Sequence, residues 1–152
     1  MIIHHNEYLS AHIKPTPVTE TFQAYPTLEV KVDTPFISFW MDEDGFLCCR
    51  YAEDLHLSLD VAVSVVESRI FFAKGNSYPL LIDMRGIKST TKKARQYMAT
   101  IGATLVKAGA LITGSALNRT LGNIFLTIDK PLVPTKLFTD EVSARQWLKQ
   151  YL

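Results

Sequence analysis

Two cysteines, no apolar run of membrane length and almost no net charge mark this 152-residue sequence, and each scarcity excludes something. Cys48 and Cys49 are adjacent, so in a strand they would leave opposite faces and could not bridge each other. They read as reduced thiols, which favours the cytoplasm. The opening "MIIHHNEYLSAHIKPTP" has Asn, Glu and two His where a signal peptide needs an unbroken apolar segment, so no secretion is expected. Elsewhere Gly, Ser, Thr or charge interrupts every apolar stretch well short of the roughly 18 residues of a bilayer span. Sixteen Lys and Arg stand against 15 Asp and Glu, a net charge of +1, which argues against nucleic acid as a partner. Any electrostatic function must be local.

What is present reads as one domain with one core. Residues 1–26, with Pro15, Pro17 and Pro26, have no sustained periodicity and form an irregular N-terminal arm; residues 27–152 form an α/β domain. In "TLEVKVDTPFISFWM" the alternation of Leu28, Val30 and Val32 with Glu29, Lys31 and Asp33 predicts a half-buried strand. The turn "DEDG", with its Asp44-Gly45 pair, leads to "FLCCRYA", and these two segments should pair antiparallel. Ser58 then caps a helix whose apolar stripe is Leu59, Ala62, Val63, Val66, Ile70 and Ala73, with Phe71 on the polar side. "LLID" reads as a buried strand. The unit repeats: a helix from about Thr90 with Ala94, Tyr97, Met98 and Ile101 inward, then the strand "AGALIT". Ser115 caps a helix carrying Leu117, Leu121, Ile124, Phe125 and Ile128, followed by the strand "TKLFT". Thr139 caps the last helix, with Ala144, Trp147, Leu148 and Tyr151 inward. A hairpin, three strand-helix crossovers and a final helix call for a mixed, mostly parallel sheet with an antiparallel edge and about four helices.

One segment breaks a local rule. A helix start carries about half a positive charge, and each exposed cation there costs about 0.3–1 kcal/mol. Asp60, Asp140 and Glu141 obey this at their helix starts, whereas Arg85, Lys88, Lys92, Lys93 and Arg95 gather with no acid between them. With the hydroxyls of Ser89, Thr90 and Thr91 and the unpaired N–H groups of a helix start, the stretch is an expected anion cradle. Its bland counterpart is a solvated face with Ser89 or Thr90 as an ordinary cap. Asp83, at the carboxyl end of a central strand, stands where α/β proteins place ligand-facing groups.

The element order is similar to the STAS fold of the SpoIIAA-like anti-sigma-factor antagonists, and "LLIDMRGI" stands where those proteins carry an apolar strand, Asp, an apolar residue, a small polar residue, Gly and an apolar residue. "LGNIFLTIDKPLVPTKLFTDEVSARQWLK" resembles an uncharacterised bacterial family with a STAS-like core, related in shape to the CRAL-TRIO lipid-binding domains. The resemblance implies a STAS-like fold and a Ser at a helix start that is phosphorylated to control a protein partner. Here Ser89-Thr90-Thr91-Lys92-Lys93 replaces the Asp-Ser-Ser/Thr-Gly motif, so the hydroxyl is kept and its flanks are not.

The expected role is thus a non-enzymatic cytoplasmic regulatory module, binding a protein partner or a second copy through Asp83, Arg85 and Lys88 to Lys93. The alternative is a carrier of an apolar or lipid-like ligand that meets membrane surfaces reversibly, drawing on Phe71 and on "LGNIFLTI". No cofactor or metal is expected: His4, His5 and His12 have no ligand spacing, and Cys48, Cys49 and His56 lack an oxyanion element. "GSALNRTLGN" lacks the phosphate-loop Lys, and Asn118, Arg119 and Asn123 read as capping or packing groups.

Overall fold

The structure, a computed structural model, describes residues 30–152; the expected arm and its histidines lie outside the described residues. Six strands form one sheet in the order β1 (Val32–Asp33), β2 (Ile37–Met41), β3 (Leu47–Tyr51), β5 (Tyr78–Asp83), β7 (Val106–Ile112) and β8 (Thr135–Phe138). Pairing is antiparallel from β1 to β3 and parallel from β3 to β8. The helices are α1 (Leu59–Ala73), α2 (Lys92–Ala99), α3 (Ala116–Ile124) and α4 (Glu141–Leu148). Hairpin, three crossovers and closing helix are therefore arranged as the sequence pattern predicts.

Each parallel strand is laid outside the previous one. Right-handed crossovers that all advance in one direction put their helices on one face, and residues of α1, α2 and α3 accordingly pack with Phe39, Cys49, Leu80 and Leu111. Helix α4 returns to the other face, where Ala144 and Leu148 meet Phe46, Cys48, Leu81 and Ala110. The period of two along β3 thus sends Cys48 and Cys49 to opposite cores, and both thiols are free. Arg145 of α4 reaches the β2–β3 turn, bonding Asp42 and Asp44, while Asp42 accepts from the backbone N–H groups of Asp44 and Phe46. Gly45 sits there at φ 89°, a left-handed turn position that suits glycine.

Several local expectations are corrected. The first predicted strand is split: the Thr34 hydroxyl accepts from Phe36 N and Ile37 N, and the chain doubles back so that β1 pairs with β2. Val30, expected inward, is exposed. A second, two-stranded sheet of β4 (Leu55–Leu57) and β6 (Ile87–Thr90), paired in parallel, was not expected at all. Because β6 takes in Ser89 and Thr90, neither caps α2; Thr91 does, accepting from Ala94 N at 3.1 Å. Asp140 rather than Thr139 caps α4, accepting from Ser143 N.

The helix stripes also shift in phase. On α1 the buried positions are Ala62, Val65, Val66, Arg69 and Ala73, so a charged residue occupies the core face. Phe71 is 86% exposed, on the polar side as predicted. On α3 the buried residues are Asn118 and Gly122, while Leu117 and Ile128, expected inward, are exposed, as is Ile101 beyond α2. Gly122 lets α3 approach β8: a Cβ there would lie 2.7 Å from Leu137 Cδ2.

Asn118, 1% exposed, joins the layers. Its Nδ2 donates to Met84 O at 2.7 Å and Ile87 O at 3.0 Å, and its Oδ1 accepts from Gly114 N at 3.2 Å. The β5–β6 turn is thereby tied to the start of α3. On its other side the turn touches the chain before β4, for a Cβ on Gly86 would overlap the Ala52 carbonyl oxygen.

Asn118→Ala should lower stability by about 2–4 kcal/mol, because buried carbonyls lose their donors. Gly86→Ala should cost about 1–3 kcal/mol through the backbone overlap. Urea unfolding followed by circular dichroism measures both.

Candidate functional site

The segment from Asp83 to Arg95 comprises the end of β5, the turn held by Asn118, β6 and the first turn of α2. Its charges are largely answered within the fold. Arg85 donates from Nε and Nη2 to the two carboxylate oxygens of Asp83 at 2.9 and 2.8 Å, and its backbone N–H bonds the same carboxylate. Arg50 Nε lies 3.6 Å from Asp83. Lys88 pairs with Asp54 at 2.7 Å. Arg95 meets Asp129 at 2.9 Å, the aspartate side chain being 2% exposed, and donates to Thr90 Oγ1 at 2.8 Å.

No acid lies between these cations along the chain, but acids come between them in space. Asp54 comes from the loop before β4, and Asp129 from the π-helical turn Phe125–Asp129 that extends α3. Lys92 and Lys93 remain exposed, with no ion pair among the described residues. The hydroxyls are engaged too: Ser89 Oγ lies 2.6 Å from His56 Nδ1 across the small sheet, Thr90 serves Arg95 and Thr91 caps α2.

The same turn closes one side of a feature that periodicity did not reveal. Between the sheet and α1 to α3 lies a cavity of about 110 Å³, walled mainly by apolar groups including Phe39, Val65, Leu80, Met98 and Leu111. Arg69, 3% exposed, is part of its wall. Its Nη2 donates to Gly102 O at 2.9 Å, whereas Nη1 is shielded from solvent with no partner. The one sequence signal for this was spacing: Arg69 follows Val65 by four and Val66 by three, which places it on the inward stripe.

Burial governs the two thiols and the Tyr51 phenol. It raises the Cys48 thiol to about 12, assisted by the Asp42 carboxylate. Burial pushes Cys49 and the Tyr51 phenol higher, against the opposing Arg69 charge. Among the described hydrogen bonds neither cysteine meets His56, which faces Ser89. Among the described residues no three His, Cys, Asp or Glu are placed to hold a metal, and no helix is long and apolar enough to cross a membrane.

Two measurements follow from these environments. Partial burial works to raise the Asp83 pKa, but the Arg85 hydrogen bonds and the Arg50 charge outweigh it, leaving it below the ordinary carboxylate value. A lowered native pKa stabilises the fold above about pH 4 and loses that contribution as pH falls through the native value. Asp83→Asn should therefore be less stable at pH 7 and show a shallower loss on acidification in pH-dependent denaturation. Both cysteines should resist Ellman's reagent at pH 8 in the native protein and react on unfolding in urea.

A solved structure of an uncharacterized protein of the DUF3478 family with a SpoIIAA-like fold, from Shewanella loihica PV-4, is 17% identical to this chain. The match covers 74% of this chain and 91% of that one, with a TM-score of 0.49. That description names the fold class the sequence resemblance implied. No curated protein matches the chain. Neither matching description mentions CRAL-TRIO domains. The family model described as "Domain of unknown function (DUF7793)" matches residues 39–152, and the chain belongs to that family.

Proposed function

We propose that this protein is a non-enzymatic binding module whose ligand is a small apolar molecule held between the sheet and α1 to α3. The observation that carries this reading is the cavity of about 110 Å³ in an otherwise packed core. Close-packed interiors leave few voids larger than a water, and an apolar cavity of about 150 Å³ suffices to take up benzene. The buried cysteine thiols, held protonated, support a role without covalent chemistry. Ligand occupancy would be felt by the β5–β6 turn, since Met84 and Ile87 line the cavity and Asn118 holds their carbonyls. A regulatory output through the Asp83 to Arg95 surface is consistent with that path.

1-Butanol, a neutral probe small enough for this volume, should shift methyl resonances of Val65, Leu80, Met98 and Leu111 in nuclear magnetic resonance titrations. Val65→Phe, which fills the cavity, should abolish those shifts. Shifts scattered over the surface, or unchanged in Val65→Phe, would overturn the reading.

A second reading rests on Lys92 and Lys93, exposed in the first turn of α2 beside the Thr91 cap. Two cations at a positive helix end favour an acidic partner, either a protein surface or anionic lipid. Salt-sensitive co-flotation of the wild type with anionic vesicles, lost in a Lys92→Glu, Lys93→Glu variant, supports the lipid form. Retention of binding by that variant refutes it.

A further inference from the structure

Arg69 lacks what an internal cation ordinarily has, a counter-ion among the described residues. Its guanidinium keeps its proton in any protein environment at neutral pH, so 97% burial does not relieve the charge. One terminal nitrogen is satisfied by the Gly102 carbonyl; the other donates to no protein atom among the described residues. The neighbours whose ionisation bears on Arg69 are Cys49 and Tyr51, and burial holds both in their neutral forms. Arg95, the other arginine on this wall, differs: Asp129 and Thr90 already occupy it. A buried charge without a counter-ion is costly, and an N–H left unpaired adds to that cost.

The position of the charge decides what would relieve it. Arg69 projects from the core face of α1 into an apolar chamber, so an anion there needs a hydrocarbon body to fill the remaining space. We infer that the cavity receives a small apolar monocarboxylate, its oxygen accepting from Arg69 Nη1 and its hydrocarbon part lying among Val65, Leu80, Met98 and Leu111. The inference rests on the reading of the cavity as a ligand site and adds the chemical class of the ligand.

A carboxylate suits the site better than a phosphate. A phosphate dianion requires several charge-assisted donors, and here one guanidinium nitrogen is free, with the Tyr51 side chain on the same wall. The volume lies below the roughly 150 Å³ that accommodates benzene, so the ligand is a short-chain carboxylate near the size of butyrate.

Isothermal titration calorimetry of the full chain with butyrate and with 1-butanol, which keeps the chain and removes the charge, tests this. The wild type should bind butyrate about tenfold or more tightly than the alcohol. Arg69→Met should reverse that preference, and Arg69→Lys, which keeps the charge, should retain the preference in part. Methyl resonances of Met98 and Leu80 should report butyrate as well as the alcohol. If the wild type binds the alcohol at least as tightly as butyrate in the cavity, the carboxylate inference falls and the cavity reading stands. If butyrate shifts only resonances near Lys92 and Lys93, the inference falls likewise. If neither compound binds, both fall. Should Arg69→Met fail to fold, the wild-type preference and the Arg69→Lys variant still decide the matter.

Discussion

The side chain of Asn118 is the point on which the arrangement turns. One amide from α3 holds two carbonyls of the β5–β6 turn and a backbone N–H at its own helix entrance. A buried amide with its donors and acceptor so used is rigid, because any movement leaves polar groups unpaired where water cannot reach them. Everything nearby inherits that rigidity. The turn presents Asp83 to Arg85, β6 pairs with β4, and Thr91 is delivered to the start of α2.

Charge is distributed over two levels. On the outside, Arg85 pairs with its near neighbour Asp83 and Lys88 with Asp54; Arg95 is held further in by the buried Asp129, and the apparent basic cluster is reduced to Lys92 and Lys93. On the inside, Arg69 has no such acid, and its neighbours are neutral. Solvent screening makes the exposed pairs worth little, whereas the interior offers no screening to an isolated guanidinium. The electrostatic demand of the fold therefore lies in its core, although the linear order of residues draws attention to its surface.

That contrast explains what could be read from sequence. The order of elements was legible because hairpin turn residues, continuous apolar runs and capped helices each carry a local signal, and handedness then restricts the topology. Cys48 and Cys49 were placed correctly on opposite faces by period two alone. The small β4–β6 sheet was not legible: its segments are three and four residues long, too short to establish a period. Nor was the pairing of Lys88 with Asp54 or Arg95 with Asp129, because those partners are 34 residues apart along the chain. Arg69 was missed for a different reason. An apolar stripe through Val63 and Ile70 leaves a charged residue outside it, whereas the buried face runs through Val65 and Arg69.

The unbroken progression of neighbours from β3 through β5 and β7 to β8 has a consequence for how the molecule is made. Each newly synthesised strand of the large sheet finds its docking edge already supplied by the preceding strand of that sheet, and no parallel pairing waits for a segment still inside the ribosome. Assembly can proceed vectorially, with only the final helix left to seal the opposite face.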